Sequence, residues 1–269
     1  MTQAPPIVEL HPWLQTPPGR YLLDWEQAVL DRAVADVFGF HALQLGRPEL
    51  DALQANRMPH RWLALDIDDD AGAVLAPSFG ADDQAPRGVA LHCDFDALPF
   101  PNQSLDLVVL PHTLELARDP HHALREVERV LVPEGRVVIV GFNPASLWGL
   151  RQRWGRMCMR LGFGSLFLPR TGDFLGYWRL RDWLRLLSFE VESARFGCYR
   201  PALRSQRWID RFAWIEPVGE RWWPVLGSVY FLSAVKRVRG MRLLGLARTK
   251  NAKPRATPAV ATNKHKEAN

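Results

Sequence analysis

The chain has 269 residues, of which 47% are hydrophobic, 23% charged and 10% aromatic. These proportions exclude a disordered chain, which would carry fewer apolar residues, and a membrane bundle, which would carry far more. The net charge of +5 conceals an asymmetry: residues 1–144 hold 10 basic and 21 acidic side chains (−11), and residues 145–269 hold 24 and 8 (+16), so the two halves face different partners or each other.

Residues 1–20, with Pro5, Pro6, Pro12, Pro17 and Pro18, read as an arm without regular structure. Trp25, Ala28, Val29, Ala33 and Val37 follow at helical spacing. Phe40 to Gly46 predicts a first strand ending in glycine, and Pro48 opens a predicted helix to Asn56. Trp62 to Leu65 predicts a second strand, running into Asp66, Asp68, Asp69 and Asp70. Val89 to His92 is a third and Leu105 to Leu110 a fourth, apolar enough to be buried on both faces of a parallel sheet. Asp119-Pro120 sets a helix start, with Asp as cap and Pro in the first turn. Leu124, Val127, Val130 and Leu131 continue that helix until Pro133-Glu134-Gly135, and Arg136 to Gly141 is a fifth strand. Strands alternating with helices at these lengths predict a doubly wound α/β sheet.

Beyond Gly141 the alternation lapses. Residues 143–178 and 197–227 read as helical inserts rich in Trp and Arg, with a helix at Leu180 to Leu187 and strands at Phe189 to Phe196 and Ser228 to Val235. Eight of the eleven tryptophans lie between Trp148 and Trp223. This segment is either a subdomain core rimmed by arginine or a lid or lipid-facing surface, since Trp and Arg together suit an interface. The domain is read as 21–239, and the basic stretch 240–269 as a disordered, solubilising tail. No stretch reaches the ~20 apolar residues of a spanning helix. The N-terminus has no basic residue before Arg20, and Cys93, Cys158 and Cys198 form no CxxC pair, so a cytoplasmic protein without disulfide or metal is expected.

Ligands of doubly wound sheets bind beyond the carboxyl ends of the strands. Those ends carry Gly46, then Asp66 20 residues later, then Asp94. An acidic residue about 20 positions after a glycine turn suits the hydroxyls of an adenosine ribose. His112 follows the fourth strand; it is either a loop histidine bonded to backbone or a proton acceptor, for which its unperturbed pKa is suitable. Glu115 reads as a brace for the sheet, Asp119 as a cap, and Cys93 has no partner that would make it a nucleophile.

The segment after the third strand reads Asp94-Phe95-Asp96-Ala97-Leu98-Pro99-Phe100, Ser104-Leu105-Asp106-Leu107-Val108-Val109, Leu114-Glu115, Asp119-Pro120, Ala123-Leu124-Arg125-Glu126, Arg129-Val130-Leu131 and Pro133-Glu134-Gly135-Arg136. This ordered series closely resembles the type-11 branch of the class I S-adenosylmethionine-dependent methyltransferases, whose form is D-x-x-x-LPF, S-F-D-V-V, L-E-H, D-P, A-L-R-E, R-V-L-K-P-G-G-R. The likeness covers about Asp94 to Gly141 and continues loosely to Val235. It implies a Rossmann-like seven-stranded sheet closed by a C-terminal hairpin, with S-adenosylmethionine as cofactor. Asp66 would accept from the ribose hydroxyls, Asp94 from the adenine amino group, and Phe95 would pack beside the ring. Leu110 to Thr113 would face the sulfonium, and His112 would be the base where the acceptor must lose a proton.

The first motif departs from the family's D-L-G-x-G-x-G: here it reads Gln44-Leu45-Gly46-Arg47-Pro48-Glu49-Leu50. Gly46 is kept, Pro48 lacks an N–H, Leu50 adds a side chain, and Arg47 is expected to meet the cofactor's carboxylate. Two readings follow. One is a cytoplasmic methyltransferase acting on a small, apolar or aromatic acceptor; the other is an inactive relative that serves as an interaction or membrane-surface module. The basic C-terminal part would meet an anionic membrane surface or nucleic acid nonspecifically. The N/D-P-P-Y/F signature of amino-methylating nucleic-acid enzymes is replaced by Leu110-Pro111-His112-Thr113.

Overall fold

A computed structural model describes residues 10–67, 89–160, 166–168 and 174–237. Strands β1 (His41–Leu45), β2 (His60–Leu65), β3 (Leu91–His92), β4 (Leu105–Pro111), β5 (Leu131–Phe142), β6 (Phe189–Gly197) and β7 (Val229–Lys236) form one seven-stranded sheet in the order β3-β2-β1-β4-β5-β7-β6. The first five run parallel, and β7 enters antiparallel between β5 and β6, with Phe142 opposite Val229 and Phe196 opposite Tyr230. The doubly wound sheet with its closing hairpin is thus as the motif series implies. Strand order reverses between β1 and β4, the switch point where ligands of such sheets bind.

Alternation along the central strands divides the interior in two. Ala42, Leu107, Val109, Val138, Val140 and Phe142 face one layer, where α2 (Pro17–Val34) buries Leu22, Val29, Leu30 and Val34. Leu43, Leu45, Val108, Leu110, Val137 and Ile139 face the other, covered by Leu124, Val127 and Val130 of α4 (Pro120–Val130) and by Leu180 and Leu184 of α6 (Tyr177–Leu186). Each such fully buried side chain contributes about 1.5–3 kcal/mol of transfer free energy. Helix α4 starts as its sequence predicts: Asp119 Oδ1 accepts the His121 and His122 amides at 2.9 and 3.1 Å, and Pro120 takes the first turn, where no N–H is needed.

The family motifs have a mechanical role. The Arg129 guanidinium donates to Leu98 O and Phe100 O, both at 2.9 Å, and to Asn102 Oδ1 at 2.7 Å, while Glu126 accepts the Leu98 amide at 3.1 Å and pairs with Arg129. Glu126 of A-L-R-E and Arg129 of R-V-L, both on α4, therefore hold the loop that carries Asp94 and Phe95.

Two sequence expectations are corrected. The arm is helical over Leu10–Leu14 (α1), and α2 begins at Pro17, eight residues before Trp25. Both prolines lie in the first turn, and Gly19 admits the Trp13 carbonyl, which a Cβ would meet at 2.4 Å. Trp13 then packs edge-on against Phe142 and Trp148. The helix expected over Pro48 to Asn56 is instead a series of turns closed by Leu50 N–Arg47 O, Gln54 N–Asp51 O and Asn56 N–Leu53 O bonds. The Gln44 side chain is the cause, since it captures the carbonyls of Gly46, Arg47 and Leu50, and the last two are ones a helix would have used.

In the inserts, α5 (Leu147–Arg160) follows β5, and α7 (Gln206–Arg211), α8 (Ile215–Trp222) and a short 3-10 turn (Pro224–Leu226) precede β7. The aspartates at 68–70 and the tail at 240–269 lie outside the described residues. No described helix is long and apolar enough to cross a membrane.

Candidate functional site

The site is built at the carboxyl ends of β1 to β5. Gly46 leaves β1 with φ +75° and donates its amide to Ala64 O of β2 at 2.7 Å. A left-handed backbone at this point suits glycine, and a Cβ there would lie 3.7 Å from Thr113 Oγ1 and 3.8 Å from the Phe95 ring. Gly46, Phe95 and Thr113 therefore converge from three separate loops. Thr113 Oγ1 is held in turn by Leu45 O at 2.5 Å. Arg47 also has a left-handed backbone, at φ 60°, and its guanidinium lies 3.8 Å from Glu49 Oε2.

Gln44 organises the turn. Its Nε2 donates to Leu50 O at 2.7 Å, Arg47 O at 2.9 Å and Gly46 O at 3.1 Å, and its Oε1 accepts the Ala52 amide at 2.9 Å. A carboxylate at this position would have no hydrogen to give those carbonyls. The amide is therefore matched to the altered loop that follows it.

Asp66 ends β2 and Asp94 follows β3, both half-buried. Asp94 Oδ1 accepts the Asp96 amide at 2.9 Å, fixing the turn that carries Phe95, which is buried. Burial pushes the Cys93 thiol up to about 11, with Asp66 and Asp94 adding to the rise, and burial and Asp94 likewise raise the Asp96 carboxyl. The negative charges of Asp66 and Asp94 thus bear on the same small region. Leu110 is buried within β4, in the layer shared with α4.

His112 follows β4 in a left-handed conformation (φ 56°) and caps the short helix α3 (Thr113–Leu116). Its ring is buried, with Nε2 2.7 Å from Glu26 Oε1 and Nδ1 3.0 Å from Glu115 Oε2. The Phe142 ring lies over it, with centroids 4.3 Å apart. Burial alone would lower the imidazole's pKa, but the carboxylates of Glu26 and Glu115 outweigh it and push the value up to about 9. A value above neutrality favours the imidazolium, and both nitrogens are engaged. Both ring nitrogens already have carboxylate partners, whereas the proton-accepting base expected of His112 needs a vacant nitrogen and a pKa near the working pH.

Glu115 Oε1 accepts the Phe142 amide at 2.5 Å, so it braces β5 as well as pairing with His112. Glu26 is the residue that sequence reasoning passed over. Its signal was a carboxylate within the apolar stripe Leu22, Glu26, Val29, Leu30, since an acid at a buried helical position requires a partner.

The residues present fit a nucleotide-like cofactor with a cationic centre. Two half-buried carboxylates follow β2 and β3, an aromatic face and a glycine turn lie beside them, and the Glu26–His112–Glu115 group carries more acid than base.

Comparison with known proteins finds similarity to methyltransferases over part of the chain. Residues 48–139 match the family model of a methyltransferase domain, Methyltransf_11. An uncharacterized protein of Escherichia coli K12, YafS, is 29% identical over 253 residues, covering 94% of this chain and 91% of that protein. A ubiquinone/menaquinone biosynthesis C-methyltransferase, UbiE of Xanthomonas oryzae, is 30% identical over 132 residues, which span 47% of this chain and about half (49%) of that enzyme. Among solved structures, an S-adenosylmethionine-dependent methyltransferase from Mesorhizobium loti superposes with TM-score 0.52 at 17% identity, covering 79% of this chain and 99% of its own. At that identity the likeness concerns the fold.

Proposed function

We propose that this chain is a class I S-adenosylmethionine-dependent methyltransferase that transfers a methyl group from S-adenosylmethionine to a small, apolar or aromatic acceptor. The observation that carries the reading is the convergence of Gly46, Phe95 and Thr113 at the strand-order reversal, with Asp66 and Asp94 at the adjoining strand ends. When bound, the cofactor supplies a methyl carbon already activated by a sulfonium. Asp66 would accept from the ribose hydroxyls and Asp94 from the adenine amino group, with Phe95 beside the ring. Gly46 lets the backbone approach, and Leu110 contributes its backbone and the apolar wall behind it. Arg47 lies at the same turn, where a cofactor carboxylate would compete with Glu49 for its guanidinium.

Positioning of an activated carbon against the acceptor can supply much of the acceleration. His112 has a different part from proton abstraction: as a fixed cation between Glu26 and Glu115 it holds α2 against the end of β4 and excludes water from that side. Acceptors whose nucleophilic atom needs no base from this residue suit the arrangement best. Trp13, Phe142, Trp148 and Phe167 pack edge-on in the buried core on the α2 side of the sheet, and the apolar surroundings they make favour an apolar acceptor. The free thiols of Cys93, Cys158 and Cys198 support a reducing compartment, the cytoplasm.

Calorimetric titration with S-adenosylmethionine and with S-adenosylhomocysteine tests the reading. Saturable binding of both at one site is expected. A folded protein that binds neither ends it.

A further inference from the structure

We infer that the exposed face formed by α5 and the Trp222–Leu226 turn is a docking surface for an anionic lipid bilayer. Helix α5 has two apolar sides. One carries Trp148, buried beside Gln152 and bonded through its indole N–H to Arg200 O at 2.8 Å. The other carries Leu147, Leu150, Trp154 and Met157, each half or more exposed, with Trp154 at 64%. At 100° per residue these four fall in a stripe about 80° wide, pointing away from the buried side. Arg151 and Arg153 lie about 40° beyond its two edges. The helix sequence has four arginines and no acidic residue; Arg153 is exposed, and the Arg151 guanidinium also bonds Ala202 O and lies over the Phe167 ring.

The second part of the face is a run of exposed residues from Glu220 to Leu226 that includes Trp222, Trp223, Pro224, Val225 and Leu226, with Trp222 at 70%. Asn143, four residues before α5, ties the two parts together: its Nδ2 donates to Val225 O at 2.7 Å and to Gly227 O at 2.9 Å. Both parts leave the sheet at the Phe142–Val229 pair, the carboxyl edge of β5. Gly46, Asp66, Asp94 and Thr113 lie at the same edge of the sheet.

The chemistry selects the occupant. Tryptophan settles at the bilayer interface, aliphatic side chains enter the acyl boundary, and flanking arginines meet lipid phosphates. A nucleic acid would use stacking platforms along a basic groove, whereas Trp154, Trp222 and Trp223 stand here among the exposed aliphatic side chains Leu147, Leu150, Met157, Val225 and Leu226, which bases do not need and an acyl boundary takes. A second copy of the chain would bring the same arginines against each other, which a bilayer of negative headgroups does not.

The test uses the full chain and vesicles of phosphatidylcholine alone or mixed with phosphatidylglycerol, read by flotation and by quenching of tryptophan fluorescence with brominated lipid. Partition onto the mixed vesicles with quenching is expected. Leu150→Ser/Trp154→Ser and Trp222→Ser/Trp223→Ser should each weaken it roughly tenfold, with an unchanged unfolding temperature because all four side chains are exposed. Unchanged partition of both double variants would overturn the inference and assign the effect to the basic tail. Equal binding to the neutral vesicles would also overturn it, as would a dimer that the variants dissociate. No cofactor enters the assay, so its outcome is independent of the methyl-transfer reading.

Discussion

Glu26 Oε1 and His112 Nε2 lie 2.7 Å apart across 86 residues of sequence, and Glu115 closes on the other ring nitrogen at 3.0 Å. The pair joins the helix laid over the sheet to the loop that leaves its central strand. Because the folded imidazole titrates at about 9, above its ordinary 6.5, its stabilising effect is complete below pH 6.5 and is lost as the pH rises through about 9. The shift corresponds to something on the order of 3 kcal/mol. Unfolding by urea across that window should show the wild type weakening with rising pH, and His112→Gln lacking this component. Parallel curves for the two proteins would mean that the ring is neutral in the folded state.

Gln44 offers a sharper case, because the family's own residue should fail there. Gln44→Asp restores the usual acid but removes the donor that now serves Leu50 O and Arg47 O, and sets a carboxylate against carbonyl oxygens. Arg47 O keeps the Leu50 amide, but Leu50 O and Gly46 O lose the Gln44 donor, at a cost of about 1–3 kcal/mol apiece. The variant should lose a few kcal/mol of stability together with affinity for S-adenosylmethionine, as measured by denaturation midpoint and calorimetry. A variant as stable as wild type would mean that the loop is held by something other than this amide.

These two residues also mark where the sequence stopped being legible. β4 and the Val137–Phe142 part of β5 could be read because nearly every position there is apolar, and α4 because Asp119 and Pro120 announce its start, whereas the beginning of β5 at Leu131, read as helix, was hidden by Pro133-Glu134-Gly135. The turn after Gly46 could not: Pro48 is a good helix opener, and what forbids a helix is a side chain of the preceding strand taking its carbonyls. The arm misled in the opposite direction, since Pro17 and Pro18 signal irregular chain except in the first turn of a helix, where they sit. His112 was rightly placed at the strand end, but its chemistry depends on Glu26, and nothing local to His112 points to that partner.

Asp66 and Asp94 should separate in their behaviour. Asp66→Ala removes an acceptor and should weaken cofactor binding by ~1–3 kcal/mol. Asp94→Ala also removes the bond to the Asp96 amide that shapes the turn before Phe95, so it should reduce stability as well. Asp94→Asn keeps an oxygen for that amide, and should restore stability more fully than affinity. Calorimetry beside thermal unfolding distinguishes the three variants; if none alters affinity, the assigned pocket is wrong.

Arg129 tests whether the loop's shape, rather than its acids alone, matters for binding. Its guanidinium reaches Leu98 O, Phe100 O and Asn102 Oδ1 in three directions while pairing with Glu126. The side chain is 32% exposed, so water can take over part of what it supplies. Arg129→Met should therefore cost only about 1–2 kcal/mol of global stability. A lysine cannot span the same planar fork, so Arg129→Lys should recover little of the loss. The local effect should be larger than the global one: amides between Asp94 and Ser104 should exchange faster with solvent, and cofactor affinity should fall although Asp94 and Phe95 are intact. Unchanged exchange in that loop, with affinity preserved, would show that the buried Phe95 and Leu98 hold it without the guanidinium.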